Sequence, residues 1–194
     1  MPTVVVTGAT GAIGSAAVAA LRQRRAHVIT LSRPAVDLSS MASVRAATRS
    51  LERVDALLHV ASVFTTRWQK TADGFELMLA TNYLGPFLLT NILRDRLKGG
   101  RVITVTAPST TRIDVDRLLD RERFSGFHSF GATKAAGLMF TLELARRAKR
   151  WDVRANAFHP GLVRSELMRE APRTIRIVTR LLSRDPKQAG LDLA

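Results

Sequence analysis

The chain has 194 residues, 46% hydrophobic and 24% charged, a globular balance that excludes wholesale disorder and fits one domain with a buried core. No apolar run reaches the ~18 residues of a membrane-spanning helix, and the start MPTVVVTGAT has no basic stretch ahead of its apolar run, which argues against a secretory leader. The net charge is +14, and the lack of cysteine excludes disulfides, thiolate nucleophiles and cysteine-ligated zinc and fits the cytoplasm.

Pro2–Thr7 (PTVVVT) is a short β-branched run suited to a strand buried on both faces. Ala12–Arg25 is Ala-rich and predicts a helix; Ala26–Ser32 predicts a second strand. Asp37–Val54 opens on Asp-Leu-Ser-Ser, a helix-start pattern, and predicts a second helix. Asp55–Ala61 follows as a strand, and Asp73–Leu97 as a long helix ended by Gly99-Gly100. Arg101–Thr106 is a strand, Ser129–Arg150 a helix and Val153–Phe158 a strand stopped by His-Pro-Gly. Pro172–Ser183 is a last, amphipathic helix, with Ile175, Val178, Leu181 and Leu182 on one face and Arg173, Arg176 and Arg180 on another. This alternation predicts an α/β fold, a doubly wound parallel sheet with helices on both faces, in a single domain over residues 1–194. Only about four residues, Arg33 to Val36, separate the second strand from Asp37. A parallel crossover needs a dozen or more residues, so the third-strand region is expected to be vestigial.

The strongest motif is Thr7-Gly8-Ala9-Thr10-Gly11-Ala12-Ile13-Gly14, directly after the first strand and opening the first helix. Glycines there let the backbone approach a pyrophosphate, and the helix N-terminus offers unpaired N–H groups and a favourable dipole. Any tight strand–helix turn also uses glycine, but the location is the one a dinucleotide site demands.

With this turn the sequence resembles the short-chain dehydrogenase/reductase family. The segment Asp73–Leu97 and the run His159-Pro160-Gly161-Leu162-Val163-Arg164-Ser165-Glu166-Leu167 look like its retinol-dehydrogenase-like branch. The resemblance covers nearly the whole chain. It implies a Rossmann sheet, a nicotinamide cofactor, a small carbonyl or alcohol substrate and a homodimer or larger assembly. Cofactor contacts are implied at Thr7, Gly8, Gly11, Ala12, Ile13 and Gly14, and again at Pro160, Gly161 and Val163. Ordinary members continue through a further helix and strand, so the last strand is expected to be missing here, and Pro172–Ser183 corresponds to the family's substrate lid. A basic amphipathic helix also suits an anionic membrane surface.

A carboxylate at the end of the second strand would accept the ribose 2′-OH of NAD, whereas an arginine would pair with the 2′-phosphate of NADP. Ser32-Arg33 carries no acid, which favours NADP over NAD; Arg33 is otherwise one solvated arginine among 25. Asp37, followed by Leu38, matches the family's adenine-contacting aspartate, or is the N-cap of its helix. The family's Asn-Asn-Ala-Gly loop corresponds to His59-Val60-Ala61-Ser62, which implies cofactor contact at Ala61 and Ser62; His59, a lone histidine at a strand end, is expected to be a structural group, with a catalyst as the alternative. Asn82 matches the family's asparagine that holds a water beside the active lysine; a surface Asn is the plain alternative. No metal site is assigned.

The family's chemistry needs Tyr-x-x-x-Lys on one helical face, the lysine holding the nicotinamide ribose and activating the tyrosine that moves the proton. Here the run is Phe130-Gly131-Ala132-Thr133-Lys134: Lys134 is present and Phe130 stands in the tyrosine position. Ala107 stands in the position of the carbonyl-polarising serine, flanked by Thr106 and Ser109. Ser125, His128 and Ser129 are candidate replacement proton donors, and Tyr83, the only tyrosine, is expected to point elsewhere. Three readings follow. The first is an NADP-dependent oxidoreductase with impaired or rerouted proton transfer; the second is a non-catalytic dinucleotide-binding regulatory or interaction protein. The third, a basic nucleic-acid binder, ranks last, because aromatic residues are only 6% of the chain.

Overall fold

The computed structural model describes residues 1–194, apart from the side chains of Lys149 and Arg180. Five parallel strands, β1 (Thr3–Thr7), β2 (His27–Leu31), β3 (Ala56–His59), β4 (Arg101–Val105) and β5 (Arg154–Phe158), form one sheet in the order β2-β1-β3-β4-β5. The register places Val5 beside Ile29 on one side and Leu57 on the other. Strand side chains alternate between faces, and the burial follows that period. Val4, Val6 and Leu58 pack with Ala17, Val18 and Leu21 of α1 (Ala12–Gln23). Val5, Leu57 and Val102 face the other way, where further helices cover them.

That second face is built by α2 (Met41–Ala47), by α3 (Leu77–Leu79) continuing through a π-helical turn (Ala80–Leu84) into α4 (Gly85–Leu93), and, after a short α5 (Val115–Leu119), by α6 (Gly126–Ala148). Leu89 and Leu93 of α4 and Leu144 and Ala148 of α6 complete its core. The chain then forms β5, α7 (Arg173–Leu182) and α8 (Pro186–Leu193). The doubly wound α/β architecture is therefore the expected one. No strand lies outside β2 or β5 among the described residues, so both the third-strand region and a strand after β5 are absent from the sheet.

Three helix boundaries correct the sequence reading. The helix expected over Asp37–Val54 is only α2, because Asp37 spends Oδ1 on the amide and hydroxyl of Ser39, making a local turn. Ser40, not Asp37, is the N-cap, its hydroxyl accepting from the Ser43 amide at 3.3 Å. The helix expected from Asp73 starts at Leu77: Asp73 instead accepts from the Met41 amide, Gly74 turns at φ +87°, and Glu76 caps by accepting the amides of Met78 and Leu79. The helix expected from Ser129 starts three residues earlier, at Gly126, where a Cβ would lie 2.4 Å from the Thr65 carbonyl oxygen.

The helix α8 had no counterpart in the sequence reading. It packs on α1, and Gly190 is the contact, since a Cβ there would sit 2.4 Å from Cβ of Ala16. Leu193 enters the core beside Leu21. No helix is long and apolar enough to cross a membrane among the described residues.

Candidate functional site

The carboxyl ends of the strands open into one cleft of about 1300 Å³. Its floor is the β1–α1 turn. Gly8 has φ +67°, and a Cβ on it would lie 2.6 Å from Cα of Ala61. A Cβ on Gly14 would lie 2.1 Å from the Gly8 carbonyl oxygen, so neither position admits a side chain. Gly11 caps α1 with no side-chain acceptor. Ala12, Ile13 and Gly14 line the cleft ahead of the first helical hydrogen bond, which runs from the Ser15 amide to the Gly11 carbonyl. The helix dipole adds about half a positive charge there. This cradle fits a phosphate.

Thr7 is not in the cleft. It is fully buried; its hydroxyl donates to the Leu58 carbonyl and accepts from the amides of Val60 and Ala61, which sets the loop after β3 against the glycine turn. At the β2 end, Ser32 Oγ accepts from the Ala9 amide at 2.8 Å, holding the turn from the other side. Arg33 is exposed, lines the cleft and has no carboxylate partner among the described residues. Asp37, Leu38, Ala61, Ser62, Pro160, Gly161 and Val163 all line the same cleft.

The far wall is β4 and α6. Phe130 and Lys134 sit one turn apart on α6 and both line the cleft, as does Ala107. Lys134 Nζ lies 5.4 Å from the Phe130 ring centroid, a cation–π contact. Lys134 is half-buried, and loss of solvent pushes its ammonium down to about 8. Thr106 does not replace the missing serine: its hydroxyl donates to the Lys134 carbonyl at 3.0 Å. Ser109 Oγ accepts from the Thr111 amide at 3.2 Å and does not line the cleft.

Asn82 lies in the π-helical turn behind this wall. Its Oδ1 accepts from the Val63 amide at 2.8 Å and from the Ser62 hydroxyl at 3.3 Å; its Nδ2 donates to the Val63 carbonyl at 3.0 Å and to Thr133 Oγ1 at 3.2 Å. The amide is thus committed to protein partners and joins the loop after β3 to α6 one residue before Lys134. It is neither a surface residue nor a cleft-lining one.

The other polar candidates are elsewhere. Ser129 is buried, and Ser125, His128 and Ser129 do not line the cleft; His128 sits by Arg117, and burial lowers its pKa. The Tyr83 ring lies 6.1 Å from Phe87, tilted, and meets Phe140 edge-on at 6.5 Å. His59 is buried, with Nε2 2.7 Å from Thr90 Oγ1. That hydroxyl donates to the Pro86 carbonyl, so the imidazole Nε2–H is the donor to it, and burial pushes the ring down to about 3. His59 is a structural group.

The segment after β5, through α7, closes the remaining side. Arg184 donates its guanidinium to the Pro160 carbonyl and to Asp192 of α8, which fixes the turn after β5. Glu170 accepts from the Thr66 amide at 3.2 Å. Leu167, Met168 and Ile175 pack on the aromatic cluster of Phe64 and Phe130, whose rings meet edge-on at 5.7 Å. The apolar face expected of α7 is split: Ile175 packs inward, while Val178, Leu181 and Leu182 are 54%, 78% and 69% exposed. Arg173 and Arg176 line the cleft; the Arg180 side chain lies outside the described residues. Gln69 and Arg169 also line it, with no motif in the sequence to mark them.

Residues 35–176 match the family described as short chain dehydrogenase. Retinol dehydrogenase 14 of Homo sapiens is 36% identical over 143 residues, covering 69% of this chain and 43% of that protein. Retinol dehydrogenase 11 of Homo sapiens is 34% identical over 200 residues, covering 87% of this chain and 63% of that protein. The chain thus spans less than two thirds of either relative. Among solved structures, an uncharacterized protein from Mycobacterium Paratuberculosis superposes with a TM-score of 0.79 at 33% identity, over 95% of this chain and 77% of that one. The 3-alpha-hydroxysteroid dehydrogenase from Pseudomonas sp. B-0831, complexed with NADH, has a TM-score of 0.78 at 21% identity over 97% and 86%, a likeness of fold. A match over most of the sheet, with the glycine turn and the lysine of the far wall in one cleft, makes this chain a member of the short-chain dehydrogenase family, in its retinol-dehydrogenase-like branch.

Proposed function

We propose that this chain is a nicotinamide-dinucleotide-dependent oxidoreductase of a small carbonyl or alcohol, with NADP preferred over NAD and with weakened proton transfer. The observation that carries the reading is the cleft floor, where Gly8 and Gly14 leave room only for backbone and the α1 amides are unpartnered. Gly11, Ala12, Ile13 and Gly14 would hold the pyrophosphate, Arg33 the 2′-phosphate, Asp37 and Leu38 the adenine end, and Lys134 the ribose beside the nicotinamide. When bound, the cofactor supplies or accepts a hydride.

The residues of this chain do the rest. Lys134 donates hydrogen bonds as an ammonium below its lowered pKa of about 8. Asn82 acts as a positioning residue through Thr133 and Val63. Phe130 and Ala107 supply no hydroxyl to the carbonyl oxygen, and the nearby hydroxyl of Thr106 is already spent on a backbone carbonyl. Hydride geometry is therefore retained while proton delivery is not; loss of a positioned general acid costs ~10²–10⁴-fold. The test is NADPH consumption over a carbonyl panel, with cofactor binding measured on the same samples. Binding with slow turnover supports this reading. Binding with no turnover on any carbonyl moves the chain to the second reading, a dinucleotide-binding interaction protein, which the two lost hydroxyls favour. Brisk turnover would refute the impaired chemistry.

The proposed assembly is a homodimer through the outer faces of α4 and α6. Phe87, Met139 and Leu142 are 42%, 61% and 62% exposed there, next to the Tyr83–Phe87–Phe140 ring cluster. The proposed compartment is the cytoplasm, in keeping with a cysteine-free chain.

A further inference from the structure

The lid brings two kinds of surface together. Met168 and Phe130 line the cleft with Lys134, and both belong to one apolar cluster that Phe64 and Ile175 back from behind. On α7, Arg173 and Arg176 lie two residues before and one residue after Ile175, and both line the cleft while remaining exposed. Neither has an ion-pair partner among the described residues, and Glu170, the nearest carboxylate in sequence, is committed to the Thr66 amide. Among the described residues Glu166 and Asp37 are the only carboxylates lining the cleft, and Asp37 already holds Ser39.

The cofactor's own phosphates have separate partners in the proposed function. The glycine turn follows β1 and Arg33 follows β2, whereas the lid is rooted after β5, at the opposite edge of the sheet. With strands spaced ~4.8 Å apart, β2 and β5 are about 19 Å apart across the sheet. In that assignment neither phosphate group calls on Arg173 or Arg176, which the NADPH affinity of the double variant below tests.

We propose that the substrate is an amphipathic oxo acid, its apolar body lying on Phe130 and Met168 and its carboxylate held by Arg173 and Arg176. This rests on the oxidoreductase reading for the carbonyl, but the recognition of the acid does not. Two guanidiniums offer the paired N–H donors that match a carboxylate, and the apolar cluster excludes water from the chain between carboxylate and Lys134.

The test uses decanoate and 1-decanol as probes, titrated calorimetrically into the full chain with and without saturating NADPH. Decanoate is expected to bind at least tenfold more tightly than 1-decanol, and added salt should weaken decanoate alone. The double variant Arg173→Gln/Arg176→Gln should lose that tenfold difference, with 1-decanol affinity and NADPH affinity unchanged. Equal affinity for the two probes in the natural sequence overturns the proposal. So does a double variant whose NADPH affinity falls, because the arginines would then serve the cofactor. If NADPH fails to bind while decanoate is still preferred, the oxidoreductase reading falls and the acid site stands. Met168→Glu, which puts a like charge against the apolar body, should weaken both probes and gives an independent readout of the body's location.

Discussion

Restoring the two missing hydroxyls is the sharpest perturbation of the chemistry. Phe130 is held on α6 by the Phe64 ring at 5.7 Å, with the Lys134 ammonium 5.4 Å from its centroid. Phe130→Tyr adds a hydroxyl to a ring whose position is already set, beside a lysine whose pKa of about 8 leaves it mostly charged at pH 7. Ala107→Ser adds a second donor from the β4 end of the same cleft. A positioned general acid is worth ~10²–10⁴-fold, so the double variant should reduce a reactive diketone at least ~10²-fold faster than the natural sequence, equivalent to about 2.7 kcal/mol of barrier. Lys134→Ala in that background should remove the gain. The assay is steady-state NADPH consumption by the three proteins, with folding checked by circular dichroism. A folded, NADPH-binding double variant that stays inert would refute the reasoning, since the cleft would then differ from a working one by more than two hydroxyls. Fast turnover by the natural sequence would refute it too, and the present geometry offers no replacement donor at His128 or Ser129, which do not line the cleft.

Arg33→Ala should weaken NADPH binding by about 10–150-fold, the worth of a charge-assisted hydrogen bond, and leave NADH within twofold; nucleotide fluorescence reads both. An unchanged NADPH/NADH ratio would assign Arg33 to solvent. His59 is neutral in the folded chain with its pKa near 3, against an ordinary value of 6.5, so its contribution is complete above pH 6.5 and is lost as pH falls towards 3. Urea midpoints should show that loss as about 1.4 kcal/mol per pH unit, or about 2 kcal/mol at pH 5, and His59→Gln should flatten the slope. A slope that survives the substitution would locate the acid sensitivity in another group. Light scattering at tens of micromolar should find a dimer that Leu142→Asp converts to monomer; a monomeric natural sequence rules out the α4–α6 interface.

The strands were legible because each is a short β-branched or apolar run between turn residues, and the glycine turn because its residues fall where strand meets helix. Helix starts were less so. Asp37 and Asp73 both carry the side chain of a cap, but Asp37 bonds Ser39 in a local turn and Asp73 bonds the first amide of α2, while Ser40 and Glu76 cap α2 and α3. Helix α8 carries weak periodicity, and its place depends on Gly190 meeting Ala16, a contact between distant segments. In the site, the spacing of Phe130 and Lys134 gave their shared face directly. The commitment of Thr106 and Asn82 to backbone partners, and the burial of Thr7, depend on tertiary contacts that no local pattern encodes. The lid arginines carried a charge signal, but among 25 arginines it marked nothing until the fold brought them to the cleft.

Every role proposed for this site depends on a nicotinamide dinucleotide binding in the cleft above Gly8 and Gly14. Titration of the natural sequence with NADPH, followed by nucleotide fluorescence, tests it most directly. A saturable, one-site signal is expected, stronger than the signal with NADH. A chain that is folded by circular dichroism yet gives no saturable signal with either nucleotide would contradict it.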